Sequence, residues 1–170
     1  MTKVFGIVGW SGSGKTDIVC RLIDYYRKKN LCVSSVKHTH HNFDIDKQGK
    51  DSFKQMISGS NEVVIYNENK WAMVSSLQQN KIKLEEILGK FSKKTDLILV
   101  EGLKNSKLPK IEIYYSKIKK PPLFPNDKNI KAVVSDKITK DLDSYKIPKL
   151  EFRNTKTIGD FIINYFRNEK

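Results

Sequence analysis

Cysteine is scarce in this sequence: only Cys20 and Cys32 occur among its 170 residues. Two cysteines do not form a disulfide framework, and we expect both to be small buried residues, Cys20 in the first helix and Cys32 in the second strand. No apolar run approaches the length of a membrane-spanning helix. The first strand and a glycine-rich loop follow Lys3 directly, so we expect no signal peptide. These absences predict a cytoplasmic protein without a membrane partner.

Arginine is also scarce, although the chain is strongly basic. Lysine and arginine total 32 against 19 acidic residues, a net charge of +13, yet the only arginines are Arg21, Arg27, Arg153 and Arg167. Specific recognition of bases and phosphates favours arginine, and the lysines here are scattered rather than clustered with aromatic residues. The composition therefore argues against nucleic acid as the main partner and favours an acidic protein or an anionic ligand.

The most informative segment is a glycine-rich loop near the start of the chain. It matches the phosphate-binding pattern G-x-x-x-x-G-K-[ST] and consists of Gly9, Trp10, Ser11, Gly12, Ser13, Gly14, Lys15 and Thr16. A short apolar run before it is typical of a buried strand, and apolar residues at helical spacing follow it. Glycines let backbone N–H groups approach an anion, and the helix directs its positive end to the same point. We predict a bound nucleoside triphosphate, with Lys15 at its β- and γ-phosphates and Thr16 on Mg²⁺.

Strand and helix patterns alternate along the rest of the chain. The apolar patterns predict strands over residues 3–9, 31–37, 62–66, 71–74, 96–101, 111–115, 130–134 and 149–152. They predict helices over residues 15–29, 50–58, 81–91 and 158–166. The strand–helix–strand start implies a parallel pair with a right-handed crossover. We therefore expect an α/β protein, a three-layer P-loop NTPase fold with a mostly parallel sheet flanked by helices, forming one nucleotide-binding domain over residues 1–170.

The loop after the second strand concentrates polar side chains, among them His38, His40, His41, Asp44, Asp46 and Lys50. Three interpretations are open. The histidines could ligate zinc, although tetrahedral zinc needs a fourth ligand and no cysteine is near. In a switch-like loop, Asp44 or Asp46 would complete the Mg²⁺ shell while the histidines and Lys50 contact phosphate or substrate. The third interpretation is a solvated polar loop. We favour the switch-like loop because it lies beside the phosphate-binding loop.

Two further acids end or follow predicted buried strands. Glu101 ends the run of four aliphatic residues from Leu97, where P-loop NTPases carry their second acidic element; it can bind Mg²⁺ through water or orient the attacking water. Asp136 follows the strand over residues 130–134 and could accept hydrogen bonds from the two adjacent donors of guanine. An aspartate after a strand is also common turn chemistry, so both roles stay open for Asp136.

Taken in order, these motifs resemble the MobB family. The shared segments are the phosphate-binding loop, Lys37-His38-Thr39-His40-His41, Asp46 with Gly49-Lys50-Asp51-Ser52, Val100-Glu101-Gly102-Leu103-Lys104 and Pro109-Lys110-Ile111-Glu112. The resemblance covers about residues 3–136. The chain departs from the family pattern at three places. Lys47-Gln48 stands where we expect a proline, Ser58-Gly59-Ser60 replaces Ala-Gly-Ala, and Leu103 replaces Phe.

The resemblance implies a GTP-binding adaptor with weak GTPase activity that acts in molybdopterin-guanine dinucleotide, and hence molybdenum cofactor, biosynthesis. It also implies a homodimer and association with the guanylyltransferase MobA, which joins GMP to molybdopterin. Lys15, Glu101 and Asp46 are then the expected catalytic residues, and Thr16, Glu101 and Asp46 the Mg²⁺ ligands. Neither the phosphate-binding loop nor the histidine-bearing loop contains an arginine. An arginine that stabilises the transition state raises the hydrolysis rate about 10³–10⁵-fold, so we expect slow turnover without one.

Two other functions remain as alternatives. A P-loop small-molecule kinase would share the nucleotide site, but no arginine-rich stretch suited to a closing lid is present. A basic nucleic-acid-binding module with a vestigial phosphate-binding loop would bind DNA or RNA with strong salt dependence.

Overall fold

The computed structural model describes residues 2–39, 43, 45–77 and 81–168, and these contain eight strands and five α-helices. The strands are β1 (Lys3–Val8), β2 (Val33–Lys37), β3 (Glu62–Tyr66), β4 (Trp71–Ser75), β5 (Leu97–Glu101), β6 (Lys110–Tyr114), β7 (Ile130–Ser135) and β8 (Lys149–Glu151). The helices are α1 (Lys15–Arg27), α2 (Asp51–Ile57), α3 (Leu84–Leu88), α4 (Lys140–Asp143) and α5 (Thr155–Asn168), and a 3₁₀ turn covers Phe124–Asn126.

The chain divides into two compact units, one formed by Met1–Thr39 with Ser92–Lys170 and the other by His40–Phe91. Six described strands of the first unit form one sheet in the order β2-β5-β1-β6-β7-β8, and every neighbouring pair is parallel. The second unit contains the antiparallel hairpin of β3 and β4. Its turn is closed by the Asn67 side chain, which accepts hydrogen bonds from the N–H groups of Asn69 and Lys70 at 2.9 Å each.

The main core of the first unit lies between one face of the sheet and helices α1 and α5. Phe5 and Ile7 of β1, Leu99 of β5 and Ile113 of β6 are almost completely buried there. On the other face, Val8 and Val133 pack with Phe124 and Leu142. Because apolar side chains cover both faces, the central strands have continuous apolar runs rather than alternation, as buried parallel strands do. The predicted parallel sheet flanked by helices is confirmed. The predicted pairing of the first two strands is wrong, because β5 lies between β1 and β2.

Several local predictions need correction. The prolines at positions 121, 122 and 125 predict an exposed loop over residues 117–129. Phe124 is nevertheless buried in its 3₁₀ turn, because it packs in the second core. The predicted helix over residues 81–91 is the shorter α3. It begins after Lys83, whose N–H donates to the Glu86 carboxylate at 3.1 Å, and it ends at Gly89.

The prediction that both cysteines are buried is also wrong, because Cys20 and Cys32 are exposed free thiols. The buried face of α1 consists of Ile18, Val19, Leu22 and Tyr26, and Cys20 lies off that face. Cys32 immediately precedes β2, the edge strand of the sheet, where only one neighbouring strand provides cover. None of the helices in the described ranges combines the length and the apolar character that a membrane span requires.

Candidate functional site

The carboxyl edge of the parallel sheet gathers most of the predicted site residues of the first unit. Gly9 follows β1, His38 follows β2, Glu101 ends β5 and Asp136 follows β7. Ligands of open α/β sheets bind at this edge because loops from neighbouring strands converge there. β5 lies between β1 and β2, so Glu101 is the register partner of Ile7 on one side and of Lys37 on the other.

The phosphate-binding loop has the backbone geometry that its glycines permit. Gly12 and Gly14 have φ angles of +77° and +88°, in the left-handed region that favours glycine. A side chain at Gly9, whose φ is +148°, would press against the carbonyl oxygen of Ile113. At Gly14 a Cβ atom would lie 2.7 Å from Cζ of Phe152. The loop is thus pressed closely against β6 and against the segment after β8.

Two features of this loop fit an anionic ligand. Helix α1 begins at Lys15 with no side chain capping its first N–H groups, which leaves the positive end of a 13-residue helix directed at the loop. The Ser13 hydroxyl is buried and has no hydrogen-bond partner among the described residues. A buried polar group without a partner is rare in folded proteins. A phosphate group would satisfy both features, so the loop fits the predicted nucleotide.

Lys15 places its ammonium group over the loop itself, donating to the Trp10 carbonyl oxygen at 2.8 Å. Burial lowers the pKa of Lys15; nearby Glu101 opposes this shift, while Lys104 and Lys37 add to it. Three ammonium groups therefore share the electrostatic environment of one loop. Such a concentration of positive charge suits a polyphosphate, whose binding would relieve their mutual repulsion.

Thr16, Glu101 and Lys37 form a tight polar cluster beside the loop. The Thr16 hydroxyl donates to Oε1 of the buried Glu101 at 2.8 Å. The Lys37 ammonium lies 3.3 Å from the same carboxylate oxygen and 3.4 Å from the Thr16 hydroxyl oxygen. Hydroxyl and carboxylate oxygens are ligands that Mg²⁺ prefers, and a cationic group already lies against both. The residues present therefore fit the predicted Mg²⁺ ion.

Asp136 holds a neighbouring loop. Its two carboxylate oxygens accept hydrogen bonds from the backbone N–H and the hydroxyl of Ser116, at 2.8 Å each. Partial burial raises the pKa of Asp136, but the hydrogen bonds from Ser116 outweigh this effect and hold the pKa below its usual range. Ser116 and Asp136 lie 20 residues apart in the chain, so this contact joins two loops and is not the local turn chemistry that the sequence left open. Recognition of guanine by Asp136 stays a prediction.

The loop that Asp136 holds spans residues 115–123 and is called here the proline loop. Its far end is fixed by buried Glu112, which accepts hydrogen bonds from the N–H groups of Leu123 and Phe124 at 2.9 Å. Its middle reaches the phosphate-binding loop, because the Trp10 indole N–H donates to the Pro121 carbonyl oxygen at 2.8 Å. Sequence reasoning did not find this connection.

Sequence reasoning also missed the roles of three lysines. Lys37 contacts Thr16 and Glu101 as described above, and the Lys104 ammonium lies 3.8 Å from the centre of the Trp10 ring. Buried Lys110 donates to the carbonyl oxygens of Lys104 and Ser106 at 2.6 Å each and pairs with Asp127 at 2.8 Å. A signal existed for Lys110, since a lysine and a glutamate interrupt an otherwise apolar strand pattern in β6.

The histidine-bearing loop is described only in part. His38 follows β2, and its backbone N–H donates to the Glu101 carbonyl oxygen at 2.9 Å. His40, His41 and Asp44 lie outside the described residues. Asp46 and Lys50 belong to the second unit, where the Asp46 carboxylate accepts a hydrogen bond from the N–H of Lys47 at 2.9 Å. Their roles at the phosphates and the metal stay predictions.

A zinc centre finds no support in the part of the chain that the structure describes. Among those residues, no group of three or more histidine, cysteine, aspartate or glutamate side chains could hold a metal ion. The zinc interpretation of the sequence depended on His40 and His41, which are outside that part.

Two curated proteins are similar to this chain in sequence. The curated "Molybdopterin-guanine dinucleotide biosynthesis adapter protein" of Haemophilus influenzae is 32% identical over 166 residues, which cover 97% of this chain and 90% of that protein. The protein of the same name from Escherichia coli is 27% identical, with 99% and 96% covered.

The solved structures of a MobB protein homolog from Bacillus stearothermophilus and of Bacillus subtilis MobB share the fold. Their TM-scores are 0.73 and 0.75 at 19% and 20% identity, they cover 97% and 95% of this chain, and 98% and 96% of their own chains are covered. The family model described as MobB, Molybdopterin guanine dinucleotide synthesis protein B, matches residues 4–136. Since it matches most of the chain and a near-full-length relative exceeds 30% identity, this protein belongs to the MobB family.

Proposed function

We propose that this protein is a GTP-binding adaptor with weak GTPase activity in molybdopterin-guanine dinucleotide biosynthesis. The observation that carries the proposal is the phosphate-binding loop with the Thr16–Glu101 pair beside it. The names of the curated relatives, which are adapter proteins of that biosynthesis, support the pathway. The sequence-based expectation of one nucleotide-binding domain over residues 1–170 is part of this proposal.

In this proposal the loop N–H groups and Lys15 bind the triphosphate, and the buried Ser13 hydroxyl donates to it. Thr16 and Glu101 would hold Mg²⁺, which neutralises phosphate charge when it is bound. Glu101 also orients water at the γ-phosphate.

Slow hydrolysis follows from how arginine is used in the described residues. Arg21 donates to the Phe152 carbonyl oxygen and to the Thr155 hydroxyl, and Arg27 pairs with Asp24. In the described parts of the phosphate-binding loop and the histidine-bearing loop, no arginine is available to stabilise the charge of the phosphoryl-transfer transition state. Such an arginine raises the hydrolysis rate about 10³–10⁵-fold, so we expect hydrolysis to be slow without it.

The partners in this proposal are a MobA-type guanylyltransferase and molybdopterin, whose phosphate suits a basic surface. The net charge of +13 supports an acidic or anionic partner. A cytoplasmic location is part of the proposal, because the exposed thiols of Cys20 and Cys32 suit a reducing compartment.

A homodimer is also proposed, and the hairpin of the second unit supports it. Val64, Tyr66 and Trp71 lie on one face of the hairpin, with exposures of 54%, 80% and 66%. Tyrosine and tryptophan exposed together are typical of protein–protein interfaces. A second copy of the chain would cover this face.

Calorimetry with GTP and with ATP, each in the presence of Mg²⁺, tests the nucleotide function. We expect GTP to bind more tightly, and Lys15→Ala to weaken it about 10- to 100-fold, because charge-assisted contacts to phosphate are lost. Asp136→Ala should abolish the preference for GTP. Ser116→Ala is its matched control, because it removes one hydrogen bond to Asp136 and keeps the carboxylate. Tighter binding of ATP would instead favour the small-molecule kinase.

A further inference from the structure

Lys37 contacts both oxygen atoms that the proposed Mg²⁺ site would use. Its ammonium group is nearly equidistant from Oε1 of Glu101, at 3.3 Å, and from the hydroxyl oxygen of Thr16, at 3.4 Å. These two oxygens are themselves 2.8 Å apart. The three atoms form a small triangle, and the pair of oxygens that offers ligands to a divalent cation is in contact with a monovalent one.

The strands fix this contact. Lys37 and Glu101 are register partners on the neighbouring parallel strands β2 and β5, so their side chains leave the sheet on the same side. Thr16 lies in the first turn of α1, which the phosphate-binding loop joins to β1 on the other side of β5. The cluster is therefore built from rigid elements rather than from mobile loops.

The burial of the three groups is unequal. The Glu101 side chain is only 10% exposed, whereas that of Lys37 is 62% exposed. A carboxylate that is nearly buried needs a compensating charge, and Lys37 supplies it. Because the ammonium is mostly in solvent, the ion pair is weak and readily exchanged.

We propose that Lys37 occupies the divalent-cation position between Glu101 and Thr16 until a metal ion replaces it. Metal binding at this site is then an exchange in which the Lys37 ammonium withdraws into solvent as the ion reaches the two oxygens. The inference deepens the proposed function, on which it rests for the identity of the ion as the one that accompanies the nucleotide. Lys37 is a positioning residue in this scheme, because the free energy of displacing its ammonium group lowers the affinity of the site for a metal ion.

Direct metal binding by the nucleotide-free protein tests the exchange. The probe is Mn²⁺, whose free form is followed by electron paramagnetic resonance. Lys37→Met removes the charge and keeps an apolar stem of similar length. We expect this variant to bind Mn²⁺ about fivefold more tightly than the unmodified protein, a factor at the upper end for an exposed ion pair. The double variant Lys37→Met/Glu101→Gln should lose that gain, because the freed carboxylate is its source.

Lys104→Met is the matched control for net charge. It removes an ammonium group that also acts on Lys15, but that group lies over the Trp10 ring rather than against Glu101. Its Mn²⁺ affinity should stay within about twofold of the unmodified protein, as expected for a change in overall field alone. Circular dichroism melting of each variant confirms that all are folded at the temperature of the titration.

Three outcomes overturn the proposal. Equal Mn²⁺ affinity of Lys37→Met and the unmodified protein would mean that Lys37 is only a surface ion pair. An equal gain in Lys104→Met would assign the effect to net charge. Undetectable Mn²⁺ binding by Lys37→Met at millimolar concentration would show that Glu101 and Thr16 are not metal ligands. The nucleotide proposal is judged separately, because these titrations contain no nucleotide and the GTP calorimetry uses none of the variants at Lys37, Glu101 or Lys104.

Discussion

At the scale of single residues, Gly14 is constrained twice. Its φ of +88° is strained for any residue with a side chain, and an added Cβ would lie 2.7 Å from Cζ of Phe152. Arg21 fixes that ring, because its guanidinium lies 5.1 Å from the ring centre and donates to the Phe152 carbonyl oxygen at 2.8 Å. Gly12 has a similar φ of +77°, but its nearest neighbour would be Cδ1 of Ile118 at 3.8 Å, an ordinary contact.

The comparison of these two glycines gives a prediction for stability. Gly12→Ala should cost about 1 kcal/mol of unfolding free energy, the strain of a left-handed residue. Gly14→Ala should cost about 2–3 kcal/mol, because overpacking against Phe152 adds to that strain. Denaturant unfolding measures both values. Adding Phe152→Leu to Gly14→Ala should recover part of the loss, and equal costs at the two glycines would show that Phe152 does not limit the position.

The residues of the site differ in how far the sequence reveals them. The position of the phosphate-binding loop between a strand and a helix was predicted, because its pattern depends on local chain geometry. Glu101 was predicted because an acid ending a buried strand must reach the carboxyl edge of the sheet. The contacts of Lys37 were not predicted. They depend on the pairing of β2 with β5, strands separated by some 60 residues in the chain.

At the scale of elements, one carboxylate joins the two helices of the main core. Asp160 in α5 accepts hydrogen bonds from the hydroxyl of Tyr25 in α1 at 2.6 Å, from Lys29 at 3.0 Å and from Lys156 at 2.9 Å. Together these hydrogen bonds hold the pKa of Asp160 far below its usual range. The bond from Tyr25 lowers the pKa most, followed by those from Lys156 and Lys29. The ionised carboxylate is therefore the form that fastens α5 to α1.

The sign of this shift predicts an acid-dependent loss of stability. A carboxylate with a lowered folded-state pKa contributes fully above its unfolded pKa of 3.8, and the contribution is lost as the pH falls below that value. Asp160→Asn should therefore lower the melting temperature at pH 7, and its difference from the unmodified protein should shrink below about pH 4. Thermal melts from pH 7 to pH 3 measure this.

The control for that experiment is Asp24→Asn. Asp24 pairs with Arg27 and Lys28 at the end of its own helix, and among the described residues it has no ion pair with α5. Its replacement should change the melting temperature less at pH 7. If Asp160→Asn differed from the unmodified protein equally at pH 7 and pH 3, the carboxylate charge would not be what fastens the helices.

Elements were predictable from sequence where their own apolar pattern determined them. The strands of the parallel sheet have runs of aliphatic residues that both faces of the sheet require, as Leu97 to Val100 illustrate. Helix α4 and the 3₁₀ turn were missed because each is one turn long, and both depend on distant packing. Phe124 and Leu142 become buried only when they meet Val8 and Val133. Cys32 immediately precedes the edge strand β2 and is exposed, which no local pattern of the chain indicates.

At the scale of the whole molecule, positive charge is spread through the chain but converges at one loop. Lys37, Lys104 and Lys15 come from segments far apart in the sequence and meet through the parallel strand order. A net charge of +13 would also attract nucleic acid without specificity. The two kinds of attraction differ, because a phosphate group bound in the loop would satisfy the buried Ser13 hydroxyl and the uncapped end of α1, whereas attraction by net charge involves neither.

The proposed homodimer gives the last prediction. Trp71 is 66% exposed and is the cross-strand partner of Tyr66, which is 80% exposed, so the two form an apolar pair at the turn end of the hairpin. Tryptophan and tyrosine contribute most to interfaces when they are buried at the centre. We expect Trp71→Lys to weaken dimerisation at least about tenfold, as measured by sedimentation velocity across a concentration series. Asn69→Lys adds the same charge in the hairpin turn and should leave the dimer intact. If the unmodified protein were a monomer at all concentrations, or if the two variants dimerised equally strongly, this face would not be the dimer interface.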